Sequence, residues 1–200
     1  VVVAEGIAIE LNTDSHVRWR RSDESYDIDL LRGEVMLERQ LRSAAACRLH
    51  CGRSQIDLAA GGRINARFAG HGVDLAVLEG EASLRNGQSP STLHVPALRR
   101  ASLASEATPL LSTISPREAG AISAWQQGQL QFNGETLEHA VSEYNRYLSR
   151  PIEIADPSIR DLRLGGRFSA TDPADFCKAL GEIYGVSAQV EPDRIRLMRS

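Results

Sequence analysis

Near the C-terminal end of the chain the apolar residues switch from one period to another and back. In "QLQF", Leu130 and Phe132 alternate with Gln129 and Gln131, the period-2 pattern of a strand with one buried face. After Asn133-Gly134 the apolar positions become Leu137, Ala140, Val141, Tyr144 and Leu148, a stripe along one side of a helix. Pro151 ends that helix, and "PIEIA" reads as the next strand. The pattern thus predicts strand 129–132, helix 136–149 and strand 151–155, followed by strand 162–168, helix 173–184 and strand 186–190. For the second helix, Asp172 reads as the N-cap, Pro173 as the first helical residue and Gly185 as the stop, with Phe176, Ala179, Leu180 and Ile183 as the apolar stripe. "RIRLM", in which Ile195 and Leu197 alternate with arginines, closes a βαβ–βαββ order.

The residues before about Leu103 follow a different rhythm. "IAIEL", "HVRWR", "YDIDLL", "EVMLE", "RLHC", "QIDLA", "RINARF", "VDLAVL" and "EASLR" alternate or carry β-branched residues, and Gly or Asp-Ser separates them. Only "RQLRSAAAC" could form a helical turn. "LLRGEVMLE" and "VLEGEASLR" share a weak repeat, which is either a coincidence of two glycine hairpins or the mark of a stacked layout with a bend at each glycine. The expectation is an all-β domain of short stacked strands, meander-like or solenoid-like, over residues 1–107. A Ser-, Ala-, Thr- and Pro-rich linker follows over 108–121, then the βαβ–βαββ domain over 122–200.

Composition narrows the function. The net charge of −3 is spread evenly, with 14 arginines against 15 acids in residues 1–120 and 9 basic residues against 11 acids in 121–200. No part of the chain has the basic field of a general nucleic-acid binder. No stretch approaches the ~20 apolar residues of a membrane span and no signal peptide opens the chain, which starts at Val1 as if cut from something longer.

Catalytic motifs are missing: there is no nucleophile elbow, P-loop, dinucleotide fingerprint or H-E-x-x-H, so an enzyme is not expected. "CRLHC" brings Cys47, His50 and Cys51 together in sequence, with His16, His71 and His94 elsewhere. Zinc needs about four converging ligands, and a disulfide between i and i+4 of a strand would have to bridge ~13 Å without a turn. Three readings remain, namely buried thiols, a disulfide or a metal site, and no metal or cofactor is assigned. His139, Glu143 and Arg146 share an outward region of the first helix, either a solvated face or a partner surface. Trp125, just before the first strand, reads as a packing anchor, with a ligand contact as the alternative.

"LNTDSHVRW", "LLRGEVMLE", "VDLAVLEGEASL", "AWQQGQLQFNGETLEHAVSEYNRY" and "PIEIADPSIRDLRLGGRF", in that order, resemble the periplasmic part of FecR/PupR-type anti-sigma regulators of iron–siderophore uptake. The resemblance implies the periplasmic region of an inner-membrane, single-span protein. The anchor and the cytoplasmic region that meets the sigma factor would lie outside these residues. It also implies that the C-terminal domain is similar to the secretin/TonB N-terminal (STN) fold, with two helices between two small sheets. The implied partner is the N-terminal signalling domain of an outer-membrane TonB-dependent siderophore transporter, and the role is cell-surface signalling. Alternatives are the N-terminal domain of a secretin or transporter itself, or a periplasmic carbohydrate- or wall-binding β protein. For the latter, Trp19 and Trp125 supply little aromatic platform.

Small sheets flanked by helices leave open edges, so the partner is expected to add a strand. Two strands compete for that role. In the favoured one, Leu162, Arg163, Leu164, Gly165, Gly166, Arg167 and Phe168, the leucines would face inward and Arg163 and Arg167 would meet the partner. The other is the last strand, with Arg194 and Arg196.

Overall fold

A computed structural model describes residues 2–4, 6–70, 72–87, 91–104 and 109–200; His71, residues 105–107 and Thr108, the first residue of the expected linker, lie outside them. The chain divides into two compact units, Val1–Ala119 and Gly120–Ser200.

The first unit is built from strands. These are β1 (Val2–Ala4), β2 (Ile7–Leu11), β3 (His16–Arg21), β4 (Ser25–Arg39), β5 (Ala46–Cys51) and β6 (Ser54–Leu58). They continue as β7 (Arg63–Phe68), β8 (Gly72–Glu79), β9 (Glu81–Asn86), β10 (Thr92–Pro96), β11 (Arg99–Ala104) and β12 (Leu110–Thr113). The expected strands "YDIDLL" and "EVMLE" are one strand, β4, which belongs to both halves of a bent sheet. Up to Arg32 it pairs with β3 and β5; from Gly33 onward it pairs with β7 and β2. One half runs β1-β2-β4-β7-β8-β11-β12 and the other β3-β4-β5-β6-β9-β10. Tyr26, Ile28, Leu30, Val35 and Leu37 of β4 join Leu49, Ile56, Ile64, Leu75 and Leu84 in a single core between the halves.

Gly33 makes the bend at φ +94°, where a Cβ would stand 2.5 Å from Ser15 Cα. The chain crosses between the halves again at Gly80, φ +66°, between β8 and β9, where a Cβ would stand 2.8 Å from Gly62 Cα. Both positions need a residue that tolerates positive φ and carries no side chain. The repeat in "LLRGEVMLE" and "VLEGEASLR" therefore marks two sheet-to-sheet crossings, and neither is a hairpin. "RQLRSAAAC" forms turns, not a helix.

Much of the expected linker has regular structure. β12 pairs with β11, and Ser115-Pro116-Arg117-Glu118 forms a reciprocal cap on helix α1 (Pro116–Ser123). There the Glu118 carboxylate accepts the Ser115 N–H (2.7 Å) and the Ser115 Oγ accepts the Glu118 N–H (3.2 Å). The division between the units falls within this helix.

The second unit contains β13 (Gln129–Thr136), α2 (Leu137–Tyr144), β14 (Ile152–Ile154), β15 (Arg163–Ser169), α3 (Ala174–Tyr184), β16 (Val186–Val190) and β17 (Ile195–Arg199). β13 pairs antiparallel with β15, while β14, β17 and β16 form a second sheet in that order. Each helix touches strands of both sheets. Leu137, Ala140, Val141 and Tyr144 of α2 and Phe176 and Leu180 of α3 fill the core with Leu130, Phe132, Leu164, Val186 and Leu197.

Local chemistry sets the helix ends. The Thr136 side chain accepts the His139 N–H (3.2 Å), and the Asp172 carboxylate accepts the Ala174 N–H (3.0 Å). Asn145 then stops α2 earlier than the periodicity suggested, because its amide bonds both the N–H and C=O of Ile152 (2.7 and 2.8 Å) and starts β14. Ile183, expected in the buried stripe of α3, is 68% exposed; the core is already closed by Phe176 and Leu180. The architecture is mostly β, of the β-rich α+β class.

Candidate partner-binding edge

Two bonds beyond the ends of the β13–β15 ladder fix which backbone groups of β15 are used. The Leu137 N–H donates to Leu162 O (2.8 Å), and the Ala170 N–H donates to Gly128 O (2.9 Å). In an antiparallel ladder such bonds flank a non-hydrogen-bonded pair, here Thr136–Arg163 at one end and Gln129–Ser169 at the other. Residues alternate between these, so Arg163, Gly165, Arg167 and Ser169 direct N–H and C=O away from β13. Only β13 pairs with β15 among the described residues, so that side is an open edge. The Tyr184 hydroxyl takes one of its groups, donating to Arg163 O (2.8 Å).

Side chains follow the same alternation. Leu164 is buried, Leu162 and Phe168 are half-buried against the core, and Arg163, Gly165 and Arg167 are exposed. The two arginines bracket a position without a side chain. Arg163 donates to Gly134 O (3.0 Å) and Arg167 to Gln131 Oε1 (2.7 Å), both neutral acceptors. The two glycines serve different ends. Gly165 is open to solvent, whereas a Cβ on Gly166 (φ +149°) would lie 2.7 Å from the Phe168 ring. That ring packs edge-on to Phe176, with centroids 5.4 Å apart, so Gly166 is a packing requirement.

The last strand does not offer an edge. β17 lies between β14 and β16, paired on both sides, so Arg194 and Arg196 cannot receive an added strand. Their charge is used internally. Arg194 reaches Glu153 (3.1 Å), Glu191 (3.4 Å) and Asp193 (3.0 Å), and Arg196 reaches Glu191 (3.6 Å). β13 has an open side too, but a bulge between Asn133 and Glu135, with Gly134 at φ +113°, breaks its ladder.

The other residues singled out from sequence lie apart from this edge. Cys47 and Cys51 face the core of the first unit as free thiols, both pushed up to about 12 by burial. His50, between them, points to the opposite face, where Nε2 is 3.3 Å from Asp27. Burial pushes the Asp27 carboxyl up, but hydrogen bonds from Ser25 and His50 and the Arg48 charge outweigh it and hold it below its ordinary value. Glu143 of α2 forms a close pair (2.7 Å) with Arg146, in the turn beyond the end of that helix, and His139 of α2 is exposed. Trp125 is half-buried in the helical turn Ala124–Gln127 that leads through Gly128 into β13. Sequence reading missed Tyr184 as a neighbour of the edge. It follows the α3 stripe by one residue, and only the packing of α3 against β15 brings it there.

No family model and no curated protein matches the chain. Two crystal structures, at 1.65 and 2.50 Å resolution, of a Parabacteroides distasonis ATCC 8503 protein described as a candidate anti-sigma factor share its fold. Each has a TM-score of 0.77 at 16% identity, over 100% of this chain and 93% of the other.

Proposed function

We propose that this chain is the signal-receiving part of a FecR/PupR-type anti-sigma regulator. In this reading it lies in the periplasm, and its second unit is an STN-like docking module. The observation that carries it is the likeness in fold, over the whole chain, to a protein described as an anti-sigma factor. The function is binding and relay, not catalysis. The partner is the N-terminal signalling domain of an outer-membrane TonB-dependent siderophore transporter, and the relayed signal governs transcription for iron uptake. The sigma factor is met by a cytoplasmic region, beyond a membrane span, outside these residues.

Docking occurs by strand addition at β15, where the backbone of Gly165 and Arg167 faces outward. Calorimetric titration of the 200-residue chain with signalling domains of candidate transporters tests this directly. One of them should bind, and Gly165→Pro, which removes an outward N–H at a position without positive φ, should weaken binding at least roughly tenfold through the lost hydrogen bond and the ring on the edge. No binding to any candidate domain would refute the partner; binding unchanged by a folded Gly165→Pro variant would move the interface elsewhere.

A further inference from the structure

The charges beside the open edge are unbalanced, and this specifies the strand that fits it. Arg146, Arg160, Arg194 and Arg196 of the second unit each lie within 4.0 Å of a carboxylate, at 2.7, 3.7, 3.1 and 3.6 Å in their respective pairs. Arg163 and Arg167 have no carboxylate within that distance among the described residues; their guanidinium groups rest on a backbone carbonyl and a glutamine amide. The two stand on one face of one strand, four residues or ~13 Å apart, beside the backbone groups left open. Between them, the Cβ position of Gly165 has only Phe132 O for a neighbour, at 4.0 Å.

Resting on the open-edge reading above, we infer that β15 selects an acidic strand with the pattern acidic–x–large–x–acidic. A strand added at this edge sets its residues opposite Arg163, Gly165 and Arg167, with side chains on the same face. Carboxylates two positions either side of the centre meet the two guanidinium groups. A large central side chain, aromatic or β-branched, covers the gap over Gly165. Each carboxylate gives an arginine the counter-charge that no described residue of its own chain supplies within 4.0 Å. The arginines thus act on partner choice and encounter, while the backbone supplies the attachment.

The test uses the whole isotope-labelled chain and two capped peptides, Thr-Glu-Thr-Tyr-Thr-Glu-Thr and its counterpart with Lys for both Glu, followed by amide chemical-shift perturbation. The acidic peptide should move the Gly165 and Arg167 amides and bind roughly fivefold more tightly than the basic one at low salt, as two exposed ion pairs allow. The difference should shrink as salt rises. Arg163→Glu with Arg167→Glu should reverse the preference, and these exposed substitutions leave the core untouched. Shifts at Gly165 and Arg167 that are equal for both peptides would overturn the acidic-strand inference and leave the edge intact. Shifts elsewhere, or none, would overturn the edge itself.

Discussion

The bend of β4 allows the sharpest energetic test of the first unit. Gly33→Ala forces two penalties. An alanine at φ +94° sits outside the regions open to L-residues, at about 1–3 kcal/mol. Its Cβ would also lie 2.4 Å from Ser15 Oγ and 2.5 Å from Ser15 Cα, so backbone must shift, at about 1–3 kcal/mol more. Gly70 is the control, because it has a similar φ of +80° but nothing within 4 Å of its Cβ position. Gly70→Ala should therefore show the conformational penalty alone, and the difference between the variants isolates the close approach at the bend. Urea unfolding followed by tryptophan fluorescence in a Trp125→Phe background leaves Trp19, on β3 beside the bend, as the reporter. We expect Gly33→Ala to lose about 2–6 kcal/mol, a large part of the ~5–15 kcal/mol of a typical domain, and at least ~1 kcal/mol more than Gly70→Ala. Equal losses would mean that the β3–β4 approach relaxes freely and that the bend does not depend on the missing side chain.

Three further outcomes follow from the same packing. Phe176→Ala, which removes a buried ring centred 4.6 Å from Tyr144 and 5.4 Å from Phe168, should destabilise the second unit by about 3–5 kcal/mol in chemical denaturation; a loss below ~1 kcal/mol would refute the central role of the ring cluster. Arg196→Pro should disrupt the second unit, visible as lost circular dichroism, because it breaks a ladder bonded on both sides; a fully folded variant would contradict the central placement of β17. Burial raises the Cys47 and Cys51 thiols to about 12, so the folded chain keeps protons that the unfolded chain releases from about pH 9 upward. Stability of the first unit should fall between about pH 9 and 12, by up to ~1.4 kcal/mol per pH unit for each thiol, and Cys47→Ala with Cys51→Ala should flatten that slope in alkaline denaturation curves.

What the sequence determined by itself is the set of local elements. β2, β7 and β16 coincide with the alternating stretches read for them, and α3 begins one residue after the expected first helical residue, Pro173, and ends immediately before Gly185. Period, caps and turn residues act over a few positions, so they can be read without the fold. The face assignment along β15 was legible for the same reason, since strand alternation alone puts Leu164 inward and Arg163 and Arg167 outward. Tertiary structure decided which strands are neighbours. "RIRLM" and "LRLGGRF" carry similar local signals, yet one is bonded on both sides and the other on one, a difference made by β14 and β16, from either side of β15 in the sequence. The same holds for β4, whose halves differ only in their partners, and for Tyr184, whose hydroxyl meets the edge because α3 packs on β15. Hydrogen-bond pairing and close packing are long-range choices among segments of equal local merit, settled only when every apolar face and backbone group is satisfied at once.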